Sequence, residues 1–168
     1  MEKPKDINQD KTPYRIVSGN EFVRLIKGET VDGFALERTK ENLGEILIVD
    51  RLIINSYIEI EKSDVFFYII TIKSEVIFKG VFSITGGKFE SIFWIKGGKF
   101  EKNFWIEGGV FNDFFLISNG DFKKNIWISG GEFNKDFKIS NGDFKKNIWI
   151  SGGEFNKDFR ISNGDFKK

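Results

Sequence analysis

Residues 119–140 recur as residues 141–162 with one change in 22 positions, Lys138 becoming Arg160. A near-exact repeat restricts the chain to architectures in which equivalent residues occupy equivalent places, because identical side chains then meet identical surroundings. Each block divides into two related 11-residue units, and the same unit runs back through residues 108–118, 97–107 and 86–96. Gly or Asn stands first, Gly second, Phe fourth, Phe or Ile eighth and Ile tenth. The fourth position is Phe89, Phe100, Phe111, Phe122, Phe133, Phe144, Phe155 and Phe166, and the tenth is Ile from Ile95 to Ile161. The spacing persists upstream without the glycines, at Phe78, Phe82 and Ile84, at Phe66, Ile70 and Ile72, and at Ile54, Ile58 and Ile60. Leu43, Leu47 and Val49 are read as its beginning. Two upstream units are 12 residues long, with the extra residue between one unit's last apolar position and the next unit's first. An insertion tolerated there marks a turn.

Two all-β folds use such a unit. One is a β-solenoid with corners inside each unit; the alternative is an antiparallel meander of longer strands joined by Asn-Gly and Gly-Gly hairpins. In a straight strand, positions four, six, eight and ten share one face. Position six is Ser91, Lys102, Asp113, Lys124, Lys135, Lys146 and Lys157, so a meander would press charge into its apolar face. Position seven carries Asn103, Asn125, Asp136, Asn147 and Asp158, residue types suited to corners and depleted from strand interiors. The pattern therefore predicts short strands around positions two to four and eight to ten, two units per coil, and stacking of residues 22 apart. Asn119, Asn141 and Asn163 then fall on one line.

Three buried apolar side chains per unit contribute roughly 1.5 to 3 kcal/mol each, whereas ordering each backbone residue costs about 1 to 2 kcal/mol. Single units cannot fold alone, and the ends of the stack need protection. Residues 18–28 offer an amino-terminal cap: a short helix with Asn20 as N-cap, Phe22, Leu25 and Ile26 on one face, and Gly28 as terminator. The resulting division is a flexible leader over 1–13, a cap over 14–42 and solenoid repeats over 43–168, most regular from 86. The carboxy-terminal end shows no cap-like segment, so that end is expected to associate or to belong to a truncated chain.

The glycine-punctuated Phe and Ile pattern over 43–168 resembles the bacterial pentapeptide-repeat proteins and related short-repeat β-solenoids. That resemblance implies a stacked-coil fold with Phe and Ile inside. Pentapeptide families place an apolar residue inward every five residues; here the inward spacing through Phe122, Ile126, Ile128 and Phe133 runs four, two, five. Some members imitate DNA with a strongly acidic surface. This chain has 26 basic and 25 acidic residues, and residues 86–168 carry 14 basic against 11 acidic, so that activity is not implied.

His and Cys are absent, which removes imidazole and thiolate chemistry, disulfides and ordinary zinc sites. No apolar run is long enough to span a membrane and no signal-like segment opens the chain, so with the lack of Cys the expected location is cytoplasmic. Carboxylates such as Glu132, Asp136, Glu154 and Asp158 obey the repeat rather than interrupt it, and no nucleophile stands with a base. The chain is therefore expected not to be an enzyme and to use no cofactor or metal.

Position nine should point outward, yet it holds Trp94, Trp105, Trp127 and Trp149, with Leu116, Lys138 and Arg160 at the remaining units. At 22-residue spacing, Trp105, Trp127 and Trp149 form one aromatic row. Trp94, Leu116, Lys138 and Arg160 form a second row on the opposite sheet, grading from apolar to basic. An exposed aromatic strip is a contact surface or a self-stacking stabiliser of the sheet. Lys123 and Lys124, Lys145 and Lys146, and Lys167 and Lys168 suggest a basic corner, but Asp121, Asp143 and Asp165 stand two positions before each pair, which disfavours nucleic acid as partner. The expected function is a rigid protein interaction or assembly module, its partner another protein or a second copy. End-to-end filament assembly and carbohydrate binding by the Trp row are the alternatives; ice binding lacks an outward Thr array.

Overall fold

The computed structural model describes residues 13–31, 44–48, 51–72 and 76–166. Within them the chain winds as a parallel β-solenoid of about five coils, built on four sheets of seven, five, five and six strands. One coil shows the plan. Lys99–Phe100 lies in the first sheet, Phe104–Ile106 in the second, Val110–Phe111 in the third and Phe115–Ser118 in the fourth; Asp121–Phe122 then returns to the first. Residues 22 apart pair directly, Phe100 with Phe122, Trp105 with Trp127, Phe111 with Phe133 and Phe115 with Phe137. Every ladder is parallel, which excludes the antiparallel meander. The physical reason is that the position-six residues sit on corners between strands of two to four residues, so the chain turns there and never reverses.

The alternating units differ at their corners. Between the second and third sheets the left-handed residue is the second Gly, with φ 101° at Gly109, 102° at Gly131 and 107° at Gly153. Between the fourth and first sheets it is Gly98, with φ 95°, in one coil and Asn119, Asn141 or Asn163, with φ 57°, 52° and 53°, in those that follow. Asn accepts this geometry at less cost than most residues, and from residue 108 onward Asn-Gly alternates with Gly-Gly, which makes the true period there 22. Gly130 is demanded for a different reason: a Cβ there would lie 2.2 Å from the Glu107 carbonyl oxygen of the preceding coil.

Positions four, eight and ten fill the interior. Phe66, Phe89, Phe111, Phe133 and Phe155 form a column with ring centroids 4.5, 4.5, 4.7 and 4.9 Å apart. A second column, Phe78, Phe100, Phe122 and Phe144, stacks at 4.5, 4.5 and 5.4 Å. Within a coil the rings meet edge to face, as Phe100 and Phe104 do at 5.5 Å and 89°. Both geometries suit the ring quadrupole, so each Phe gains from neighbours along and across the stack. On the surface, Asn112 Nδ2 donates to Glu90 Oε2 at 2.6 Å, Asn134 Nδ2 to Asn112 Oδ1 at 3.1 Å, and Asn156 Nδ2 to Asn134 Oδ1 at 2.8 Å. This amide ladder lies at position five, a line that the sequence reading did not single out.

The amino-terminal cap is present, with one correction. Its helix, α1, spans Gly19–Ile26 and begins at Ser18, not Asn20: Ser18 and Glu21 form a reciprocal capping box. Ser-x-x-Glu satisfies two orphan amide donors where Asn20, already inside the helix, satisfies none. Phe22 closes the core, its ring 5.5 Å from that of Phe78. In Glu45–Ile48, Ile46 and Ile48 align with the inward Ile70 and Ile72, while Leu47 aligns with Thr71 on the outward line. The reading that began the repeat at Leu43, Leu47 and Val49 was thus one residue out of register, and Leu43 and Val49 lie outside the described residues. The strand Arg15–Val17 adds an unanticipated pairing to Leu52–Ile54. The extra residue after Ile60 does fall in a turn, where Asp64 Oδ2 accepts from the Glu61 amide at 2.8 Å. The leader up to residue 12, and Lys167 and Lys168, also lie outside the described residues. Among those described, no helix is long and apolar enough to cross a membrane.

Candidate interaction surface

Alternation in each strand of the second sheet turns positions eight and ten inward and position nine outward. Parallel register then lines up Glu59, Ser83, Trp105, Trp127 and Trp149 on consecutive coils. Trp127 and Trp149 are 40% and 49% exposed, values at which large apolar rings meet solvent over much of their surface. Their centroids lie 5.3 Å apart with planes inclined by 46°, so they lean on one another instead of forming one flat plate. Trp105 is half-buried, and Ser83 beside it is 1% exposed although it occupies an outward position. Trp105 Nε1 and Ser83 Oγ are both buried without a hydrogen-bond partner among the described residues. The row therefore changes character along its length, from solvent-facing indoles to a covered hydroxyl to the exposed Glu59 carboxylate.

Trp94 is on the opposite, fourth sheet, in register with Leu116 and Thr71. Its Nε1 donates to Ser118 Oγ at 3.1 Å, and Lys96 Nζ stands 3.8 Å from its ring centroid. These contacts occupy both its polar handle and one ring face. Lys138 and Arg160 continue the same row. Lys138 Nζ donates to Asp136 Oδ2 at 2.7 Å, and this hydrogen bond, with the charges of Lys138 and Arg160 behind it, holds the Asp136 carboxyl below its ordinary value. The structure thus brings Trp105, Trp127 and Trp149 together and leaves Trp94, Lys138 and Arg160 on the far side. Ile92 and Phe114, half-buried at position seven, flank Trp94 and Leu116 and make that sheet's middle apolar. Their signal was available in the sequence as the two units lacking Asn or Asp at that position.

The basic corner divides into two classes. Lys123 and Lys145 are tied to Asp121 and Asp143, as Lys99 is to Glu101. Lys102, Lys124 and Lys146 are exposed and make no ion pair among the described residues. Local compensation by Asp therefore accounts for only the first lysine of the two described pairs.

At its amino-terminal end the surface meets a cleft of about 420 Å³ beneath α1, lined by Asn20, Arg24, Lys27, Tyr57, Glu59 and Glu61 among others. Both cations there are engaged, Arg24 with Glu29 at 2.9 Å and Lys27 with Asp64. Glu59 and Glu61 remain exposed. The chemistry of the second sheet is consequently aromatic contact bounded by carboxylates at one end. Comparison with known proteins returned no matching family model, no matching curated protein and no matching solved structure.

Proposed function

We propose that this chain is a non-catalytic, rigid β-solenoid that serves as a protein interaction or assembly module, with Trp105, Trp127 and Trp149 as its contact row. The observation that carries this reading is the exposure of two adjacent indoles, 40% at Trp127 and 49% at Trp149, on a backbone held by parallel ladders on consecutive coils. Exposed aromatic clusters on rigid supports lose little entropy on docking, which is why such rings anchor interfaces. A cytoplasmic setting belongs to the same proposal and suits the absence of Cys. So does kinship in architecture with bacterial short-repeat solenoids.

End-to-end assembly is the second reading. Ile150 and Phe159 are each 40% exposed in the last described coil where Ile128 and Phe137 are fully covered in the coil before, and either a further coil or a second copy stacked on them would cover them. Carbohydrate binding is less well supported, since inclined rings 5.3 Å apart do not present coplanar faces to a sugar chain. The deciding experiment is light scattering on a sizing column over a hundredfold concentration range, for the parent and for Trp127→Ser/Trp149→Ser. Association lost in the variant supports the Trp row. Association that survives transfers the role to the last coil.

A further inference from the structure

The margins of the Trp row differ in charge. On the corner with the first sheet stand Lys102, Lys124 and Lys146, each three residues before a Trp of the row and each exposed without an ion pair among the described residues. On the other margin, two residues after each Trp, stand Glu107, Ser129 and Ser151, also exposed. Backbone bonds from Glu107 N to Ile84 O, Ser129 N to Ile106 O and Ser151 N to Ile128 O, 2.8 to 2.9 Å long, keep this second margin in line from coil to coil. Glu107 makes no ion pair among the described residues either. One side of the aromatic row is thus cationic and the other is hydroxylic with a carboxylate at the level of Lys102.

We infer that this surface takes a second copy of the chain, packed side by side with both solenoids running in the same direction. The inference rests on reading the Trp row as a contact surface and adds the partner and its orientation. A two-fold axis can lie in such an interface in two ways. An axis along the row sets each Trp against its own counterpart and brings the lysine margin of each copy to the Glu107, Ser129 and Ser151 margin of the other. Lys102 then faces Glu107 of the second copy, and Glu107 faces Lys102 of the second copy, so one contact generates two reciprocal ion pairs. An axis across the row turns the copies head to tail and lays lysine margin on lysine margin. Like charges in apposition suppress that arrangement, and opposite charges fix the parallel one.

The contact ends near Ser83, because Glu59 on the next coil would meet its own counterpart. Three coils at roughly 4.8 Å per step offer much less than the ~800 Å² per partner typical of stable complexes. The dimer is accordingly weak and populated at high protein concentration.

The test measures solution mass by light scattering and sedimentation for the parent, Lys102→Glu, Glu107→Lys, an equimolar mixture of those two variants, and Trp127→Ser/Trp149→Ser. Circular dichroism on each confirms that the fold is retained; the two charge variants alter only exposed side chains. The parent is expected to dimerise reversibly and each charge reversal to weaken dimerisation about tenfold or more. Mixing Lys102→Glu with Glu107→Lys should restore it, since each then supplies the charge that the other lacks at both contacts. A mixture no better than the single variants overturns the inference, as does a parent that stays monomeric throughout. Association that disappears in the Trp variant but survives both charge reversals overturns the parallel arrangement while leaving the Trp row as a contact surface. Association unaffected by the Trp variant overturns both readings.

Discussion

Residues 119–140 and 141–162 carry the same sequence apart from Lys138 and Arg160, yet their environments differ. Ile128 and Phe137 are 0% exposed, whereas their equivalents Ile150 and Phe159 are each 40% exposed. Local geometry is the same in both: Asn119 and Asn141 hold φ 57° and 52°, and the Phe column continues, Phe133 to Phe155 at 4.9 Å. What differs is the number of neighbours. Coil 119–140 is covered on both sides; coil 141–162 is covered on both sides only at Asp143–Phe144, which pairs with Asp165–Phe166, and the second and third sheets end at Ile148–Ile150 and Glu154–Phe155. Burial in this architecture is therefore a property of the stack, while conformation is a property of the unit.

The largest test of that comparison is a matched pair of substitutions. Phe137→Ala should cost about 3–5 kcal/mol, the range for a fully buried ring, and Phe159→Ala only about 1 kcal/mol or less, both read from urea unfolding. Equal costs would break the comparison, since they would place the core's contribution inside the unit. A second test supplies a further neighbour. Adding one further copy of residues 141–162 after Ser162 should raise the cost of Phe159→Ala toward the roughly 3 kcal/mol of a covered ring; an unchanged cost would mean that the added coil does not stack.

Smaller effects follow from features that both coils share. Asn141→Ala forces a left-handed backbone on a residue without a helpful side chain and should cost about 1 to 2 kcal/mol, while Asn141→Gly should be close to neutral, as thermal unfolding can show. Replacement of the buried, unpartnered hydroxyl by Ser83→Ala should be neutral or stabilising by up to about 1 kcal/mol; a large loss would reveal a partner for that oxygen. The smallest effect concerns Asp136. Its carboxyl titrates below the ordinary range because Lys138 is hydrogen-bonded to it, so its stabilisation is present above the unfolded value and is lost as pH falls through the lowered folded value. In Lys138→Ala, the Asp136 midpoint followed by NMR should move back up.

Much of this was legible in the linear pattern. Phe122, Ile126 and Ile128 were assigned inward from spacing alone, and charge at Lys124 and Lys146 ruled out a straight strand through position six. Asn119 and Asn141 were placed on one line of equivalent positions, but their left-handed role at the corner emerged only from their φ values. Failures came where the signal is weak. The slip at Leu47 arose because a strand flanked by apolar residues reads almost equally well in either register. The misplaced N-cap arose from weighing Asn20 without the Ser18 and Glu21 pair. The Trp row was placed correctly at position nine, but nothing in the spacing distinguishes the half-buried Trp105 from the exposed Trp149.

By itself, the sequence determined the inward set, the corners and the 22-residue period, because strand alternation and left-handed turns are decided within a few bonds of each residue. Only the tertiary structure decided how deeply each repeat is buried, and that Trp94 donates to Ser118 of the neighbouring coil while Trp127 and Trp149 face solvent. Those outcomes depend on the coils above and below, residues 22 or more positions away, whose presence a single unit does not encode.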